Sequence, residues 1–260
     1  MTPALSLSWA VRTDAGLRRS SNEDSHSARP DIGLYLVADG MGGHAAGEVA
    51  SRVVVESIAA FIEETAGADS NRTWPFPFEP ELSLEANRLK AAFRLANRKL
   101  AVAIADSQDL RGMATTASAI LHGPRPSCVV HIVDSRVYLL RGQDLTQITD
   151  DHSWVEEQVR AGTLTADAAR QHPWRNVVTR ALSGGDDPEI DVVEIHPAPG
   201  DRYLLCSDGL FGVVADDLLA EILGDRSASL DDICGRLIDA ANAAGGPDNT
   251  TAMVLQVDAP

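Results

Sequence analysis

Three apolar runs in this chain stop abruptly at an aspartate. Leu34–Ala38 ends at Asp39-Gly40, Val129–Val133 at Asp134-Ser135-Arg136, and Tyr203–Ser207 at Asp208-Gly209. Asp248 reverses the order and leads through Asn249 into Thr251–Leu255. Short apolar runs bounded by turn residues predict buried strands. A carboxylate at the tip of a buried strand is costly to desolvate unless something pairs with it. One Asp-Gly after a strand is a common turn. Four such tips at one end of a sheet would leave unbalanced charge, which a divalent cation with oxygen ligands would repair.

Composition narrows the partners. A 260-residue chain with 44% apolar and 23% charged residues can bury a sizeable core. Its formal net charge of −16 argues against nucleic acid or an anionic membrane surface as partner. Cys128, Cys206 and Cys234 fit neither a disulfide framework nor a zinc site, and read as small buried hydrophobes in a reducing compartment. No signal-peptide pattern occupies Met1 to Trp9 and no stretch is apolar enough to span a bilayer, so the expected location is cytoplasmic.

Periodicity supplies the elements. A strand is expected over Ser6–Thr13 and a loop over Asp14–His26. The glycine turn after Asp39 opens a helix near Ala45, with Val49, Val53, Val54, Ile58, Phe61 and Ile62 on one face. Residues 67–80 form a proline-rich loop carrying Trp74, Phe76 and Phe78, expected at the surface. Ser83 caps a second long helix. Thr115–Leu121, Cys128–Val133, Val137–Leu140 and Leu145–Ile148 follow at short spacing, which suggests one antiparallel meander. Asp150–Gln171 changes character and reads as a small inserted subdomain. Strands at Ile190–Ile195 and Arg202–Cys206, helices at Asp216–Leu223 and Ser229–Ala244, and a strand at Thr250–Val257 complete the chain. Such a pattern suits a sheet core with helices outside it.

The chemistry is limited by what is missing. Gly40-Met41-Gly42-Gly43-His44 lacks the Lys-Ser/Thr ending of a phosphate-binding P-loop. Met41 and Leu210 stand where an aspartyl-phosphate phosphatase needs a second aspartate, and no cysteine has an arginine at the offset that a cysteine-nucleophile phosphatase requires. What remains is water activated by metals. Ions of the Mg²⁺ or Mn²⁺ kind prefer oxygen ligands, and the Gly40 carbonyl can approach one closely. Two ions about 3.5–4 Å apart can share a carboxylate and a water, lowering its pKa and stabilising an in-line phosphoryl transition state. Arg19 offers a fork for phosphate, and Glu23 and Asp24 could hold metal-bound waters. On its own Arg18-Arg19 would be a solvated basic pair.

Taken together, these residues resemble the metal-dependent Ser/Thr protein phosphatases, the PPM or type 2C family, in its short bacterial form. The matching segments are Thr13–Gly16 with Arg19–Ser25, Ala38–His44, Gly112–Thr116, Asp134–Arg136, Cys206–Leu210 and Gly246–Thr251. They occur in family order over nearly the whole chain. The resemblance implies an α+β fold, an αββα sandwich of two antiparallel sheets flanked by helix pairs. It implies one phosphatase domain over 1–260, with a flap-like subdomain at about 150–180 that influences substrate choice.

By the same resemblance Asp39 bridges two Mn²⁺ or Mg²⁺ ions, Asp208 and Asp248 complete the first site, and the Gly40 carbonyl serves the second. Asp134 with Asp208 would hold a third ion, and Arg19 the substrate phosphate. The implied activity is hydrolysis of phosphoserine and phosphothreonine in proteins by a metal-bridging hydroxide, with a cognate protein kinase or its substrates among the partners. Two departures bear on the third ion: Ala114 and Val133 replace glycines of the family pattern. Met41 stands where eukaryotic members carry a histidine, which leaves the proton donor unassigned, and His44 reads as a helix-start residue. The alternative is a catalytically inactive or regulator-specific phosphoprotein-binding module of this fold. Its mark would be a substituted ligand, and none of the acids is missing.

Overall fold

Side-chain alternation decides which layer each strand residue joins. The computed structural model describes residues 5–42, 46–67, 74–123, 126–165, 168–169 and 172–258. In β3 (Leu34–Met41), Leu34, Leu36 and Ala38 pack towards α1 (Ala46–Glu64) and α2 (Leu84–Asp106). Tyr35 and Val37 point the other way and meet Tyr203, Leu205, Met253 and Leu255 of the opposite sheet. In β10 (Arg202–Cys206), Leu204 and Cys206 face a second helix pair, α5 (Asp216–Gly224) and α6 (Leu230–Ala243). The inner strands of both sheets are therefore buried on both faces, and each fully buried Leu, Ile or Val there contributes roughly 1.5–3 kcal/mol.

The layers are helix pair, sheet, sheet, helix pair, as the resemblance implies. The five-stranded sheet runs β1 (Leu7–Asp14), β11 (Thr250–Val257), β10, β7 (Arg136–Arg141), β8 (Asp144–Gln147). The six-stranded sheet runs β2 (Asp24–Arg29), β3, β5 (Ala117–Leu121), β6 (Ser127–Ile132), β9 (Asp191–Ile195), with β4 (Ala114–Thr115) also paired to β3. Neighbouring strands are antiparallel throughout. Ser83 caps α2 by accepting from the Ala86 N–H at 3.2 Å, and Ser229 caps α6 through Asp232 N–H at 3.1 Å.

Three expectations change. The meander is divided: β5 and β6 lie in one sheet and β7 and β8 in the other. The chain changes sheets across Val133-Asp134-Ser135. Second, the loop expected over Asp14–His26 contains the start of β2. Its sequence, Asp-Ser-His-Ser-Ala-Arg, has no apolar alternation because it is a half-buried edge strand held by backbone pairing to β3. Third, Phe76 is not at the surface. It is 7% exposed, joins the helix-side core, and carries the Arg98 guanidinium 4.1 Å above its ring. The expectations on Gly43 and His44, and on 68–73 of the proline-rich loop, lie outside the described residues.

Candidate active site

The carboxylates that end the apolar runs meet in one cavity of about 530 Å³. Asp39 and Asp134 reach it from the six-stranded sheet, Asp208 and Asp248 from the five-stranded one. Gly40, Glu23 and Arg19 line it too. Further lining residues have no role assigned from the sequence: Ser20, Ser21, Thr116 and Asn249, present there only within the matching segments, and Asn176 and Val178.

Each acid is set by a local device. Asp39 stays in β3, opposite Asp24 on β2. Its N–H donates to Thr116 Oγ1 at 2.9 Å, and its carbonyl accepts from Thr115 Oγ1 at 2.7 Å. The next residue must be glycine: a Cβ on Gly40 would run into the Gly47 carbonyl oxygen at the start of α1. Asp208 opens the short helix α4 (Asp208–Phe211) after β10. Asp248 enters from the loop before β11. Its Oδ1 accepts from the Asn249 N–H at 2.8 Å, and its Oδ2 pairs with Arg19 Nη2 at 2.6 Å.

Asn249 is the peg of the N-terminal loop. Its Oδ1 accepts from the Glu23 N–H at 2.8 Å, and its Nδ2 donates to the Ser21 and Ala15 carbonyls at 2.8 and 3.0 Å. The motif Pro247-Asp248-Asn249 marked it in the sequence, but an amide has no charge to suggest a role.

Asp24 does not line the cavity. It is buried behind Asp39 and ties the two sheets together, accepting from Ser207 Oγ at 2.7 Å and Thr251 Oγ1 at 2.6 Å, while its Oδ1 has no partner. Glu23 is at the cavity wall, and its carbonyl accepts from the Gly40 N–H at 3.2 Å. Arg136, of the Asp-Ser-Arg motif, is taken up elsewhere. It grips Asp151 through Nε and Nη2 at 2.9 and 2.7 Å and lies 3.8 Å over the Phe211 ring.

The electrostatics ask for a cation. Burial, then repulsion from Asp24, Asp208, Asp134 and Asp248, holds Asp39 well above the usual carboxylate range. Burial and the Asp248 charge push Asp208 up to about 6. Burial, with Asp208 and Asp151 nearby, pushes Asp134 up to about 7, and burial raises Asp24 to about 7. An all-oxygen donor set whose members repel one another fits a hard divalent ion, Mg²⁺ or Mn²⁺.

A second group brings metal-ligand atom types within 4.8 Å: His131, His152 and Asp191. It does not fit a metal. The two imidazoles stack at 4.9 Å with planes 22° apart, whereas ring nitrogens ligate in the ring plane. A cation is already present, since Arg180 Nη1 donates to Asp191 at 3.0 Å and lies 3.1 Å from His152 Nε2. The base of the 150–180 segment, which carries α3 (Trp154–Arg160), is fastened here: the Trp154 N–H donates to the Val177 carbonyl at 2.8 Å, and Trp154, His172 and Trp174 form an aromatic cluster.

Comparison with known proteins agrees with this geometry. The family model for protein phosphatase 2C matches residues 17–245. The serine/threonine protein phosphatase PstP of Mycobacterium tuberculosis is 41% identical over 254 residues, 97% of this chain, and the chain spans 45% of that relative's length. The serine/threonine phosphatase stp of Listeria monocytogenes is 33% identical over 95% of this chain and 94% of its own length. The crystal structure of M. tuberculosis PstP/Ppp superposes with a TM-score of 0.84 at 40% identity, covering 97% of this chain and 99% of that one. The PstP catalytic domain in complex with two manganese ions gives 0.81 at 40% identity, over 98% and 100%. Fold, carboxylate cavity and matched sequence agree, and the chain belongs to the protein phosphatase 2C family.

Proposed function

We propose that this protein is a metal-dependent phosphatase that hydrolyses phosphoserine and phosphothreonine in proteins. The observation that carries the reading is the meeting of Asp39, Asp134, Asp208 and Asp248 in one cavity beside the Gly40 backbone, with Arg19 at its wall. The related PstP catalytic domain binds two manganese ions. In our reading Asp39 holds two ions of the Mn²⁺ or Mg²⁺ kind, Asp208 and Asp248 complete the first site, and the Gly40 carbonyl serves the second. Asp134 joins Asp208 at a third. When bound, the ions acidify water and offset charge on the phosphoryl group.

The chain's own residues supply the rest. Arg19 is half exposed and now bound to Asp248, so it can exchange that carboxylate for a substrate phosphate. Burial holds the Glu23 carboxyl above its ordinary value beside the cavity, where it can hold ordered water, while Asp24 binds Ser207 and Thr251 of the opposite sheet. Among the described residues no histidine lines the cavity, and Met41 carries no proton to give.

The same reading makes 1–260 a single phosphatase domain and 150–180 a flap, whose Asn176 and Val178 reach the cavity wall. It makes phosphorylated proteins the partners, a cognate kinase or its substrates among them, and signalling in the cytoplasm the setting. The three buried free thiols suit a reducing compartment. No helix among the described residues is long and apolar enough to cross a membrane. An inactive binding module gains no support, since the relatives are named as phosphatases and no acid is substituted.

The test is turnover of a phosphothreonine peptide with added Mn²⁺ or Mg²⁺. Activity should vanish with a chelator and in Asp208→Asn. Metal-independent turnover, or wild-type rates in that variant, would sink the reading.

A further inference from the structure

Val133 has φ +79°, and among the described residues it is the one non-glycine with a positive φ. A β-branched side chain is strained in that region and does not stay there unless its surroundings hold it. The side chain is buried in the helix-side core, and one residue holds the backbone. The Val133 N–H donates to His152 Nδ1 at 3.0 Å, and the His152 N–H donates to the Val133 carbonyl at 2.9 Å. Both backbone groups of the strained residue are therefore bound by His152.

His152 is itself immobilised. It is 1% exposed and stacks on His131, two residues before Val133. Because Nδ1 accepts from Val133, the proton of the neutral ring sits on Nε2 and faces Asp191 Oδ2 at 3.1 Å. Its carbonyl accepts from the Thr179 N–H at 2.8 Å. The strain is located where the chain leaves the six-stranded sheet, and the next residue is Asp134 at the cavity wall.

We propose that His152 is a positioning residue for Asp134: it clasps Val133 in the left-handed conformation that turns the Asp134 carboxylate into the cavity. The clasp stands on backbone geometry; that Asp134 then holds a metal rests on the function proposed above. Without the His152 imidazole the buried Val133 N–H loses its acceptor, and the one remaining main-chain bond does not keep Val133 from relaxing to negative φ, with Asp134 moving with it. A glycine at 133 needs no clasp, because positive φ costs it nothing.

The experiment is Mn²⁺ titration followed by electron paramagnetic resonance and calorimetry, with amide exchange at Val133. His152→Ala should weaken the Mn²⁺ that depends on Asp134 by about tenfold, leave the tighter ions unchanged, and speed exchange of the Val133 N–H. Adding Val133→Gly to His152→Ala should restore that affinity, and adding Val133→Ala should not. Wild-type affinity in His152→Ala, or no rescue by glycine, would overturn the proposal.

Asp134→Asn separates the two readings. If it binds Mn²⁺ like wild type, the metal role of Asp134 fails, and the clasp is judged on amide exchange alone; unchanged exchange in His152→Ala then overturns it. Should alanine at 152 not fold, His152→Asn, which keeps an acceptor near Nδ1, is measured beside His152→Leu, which fills the space without one. Wild-type Mn²⁺ affinity in the asparagine variant with a loss of about tenfold in the leucine variant supports the clasp, and equal affinities refute it.

Discussion

At Asp39 the chain remains in its strand. The residue pairs with Asp24 across β2, Thr115 and Thr116 hold its backbone, and Gly40 lets the chain pass close beneath α1. At Asp134 the chain leaves its sheet through a valine at φ +79°, and a histidine from the 150–180 segment holds the bend. Two carboxylates of one sheet thus reach one cavity from a relaxed ladder and from a strained crossing. The first geometry is fixed by pairing that the fold needs in any case. The second depends on a few buried hydrogen bonds. Carboxylates presented alike can therefore differ in how easily they are displaced.

Removing the carboxylates tests the comparison most severely. Asp39→Asn should lower kcat on a phosphopeptide by on the order of 10²–10³ or more, and Asp134→Asn by less, because Asp39 is read as serving two ions. Equal losses would break the distinction. Next in size is Gly40→Ala, whose methyl meets the Gly47 carbonyl. It should cost about 1–3 kcal/mol of stability, read from the urea midpoint, although the crossing at 133 tolerates a valine.

Proton linkage gives a third test. Asp134 and Asp24 sit near 7 and Asp208 near 6 in the folded chain, against an ordinary 3.8. Raised carboxyl values mean that these groups hold more protons in the folded than in the unfolded state between about pH 4 and 7, whereas the lowered values of His26, His131 and His152 act in the opposite sense over the same window. With four raised aspartates, Asp39 among them, against three lowered imidazoles, stability of the metal-free protein should fall as pH rises through that window and level off above it. Saturating Mn²⁺ should remove the decline, and Asp134→Asn should make it shallower. Thermal unfolding at a series of pH values decides it; a metal-free protein that gains stability across the window would contradict the sign.

The smallest effect is the most local. At an ordinary buried site glycine is less stable than alanine. At 133 alanine loses two buried methyl groups and glycine one carbon more, but only glycine relieves the positive φ, and that relief is the larger effect. Val133→Gly should therefore exceed Val133→Ala by about 1 kcal/mol, and the reverse order would mean that the bend is not strained.

Much of the site was legible because its parts are short and local. Asp39, Asp208 and Asp248 each sit beside a glycine or a strand boundary that reads as a turn, and Arg19 follows a strand. Asn249 and Thr116 were harder to see. Their work is hydrogen bonding to backbone far away in the chain, as when Asn249 reaches Ala15 and Ser21, and a single amide or hydroxyl leaves no period or charge to read. Asp24 looked like its neighbour Glu23, yet one lies behind the cavity and the other lines it. Adjacent residues in a strand point to opposite faces, and β2 was not recognisable as a strand because it has no apolar alternation.

The sequence by itself determined the strand and helix periods, the acids at strand ends and the family to which they correspond, since all of these are set by neighbours within a few residues. Only the tertiary structure decided that β5–β6 and β7–β8 belong to different sheets, that Phe76 is core, and that His152 holds Val133. A sheet assignment depends on which layer can bury a given face, and a clasp between residues 133 and 152 depends on where two separate segments come to rest. Local spacing carries no record of either.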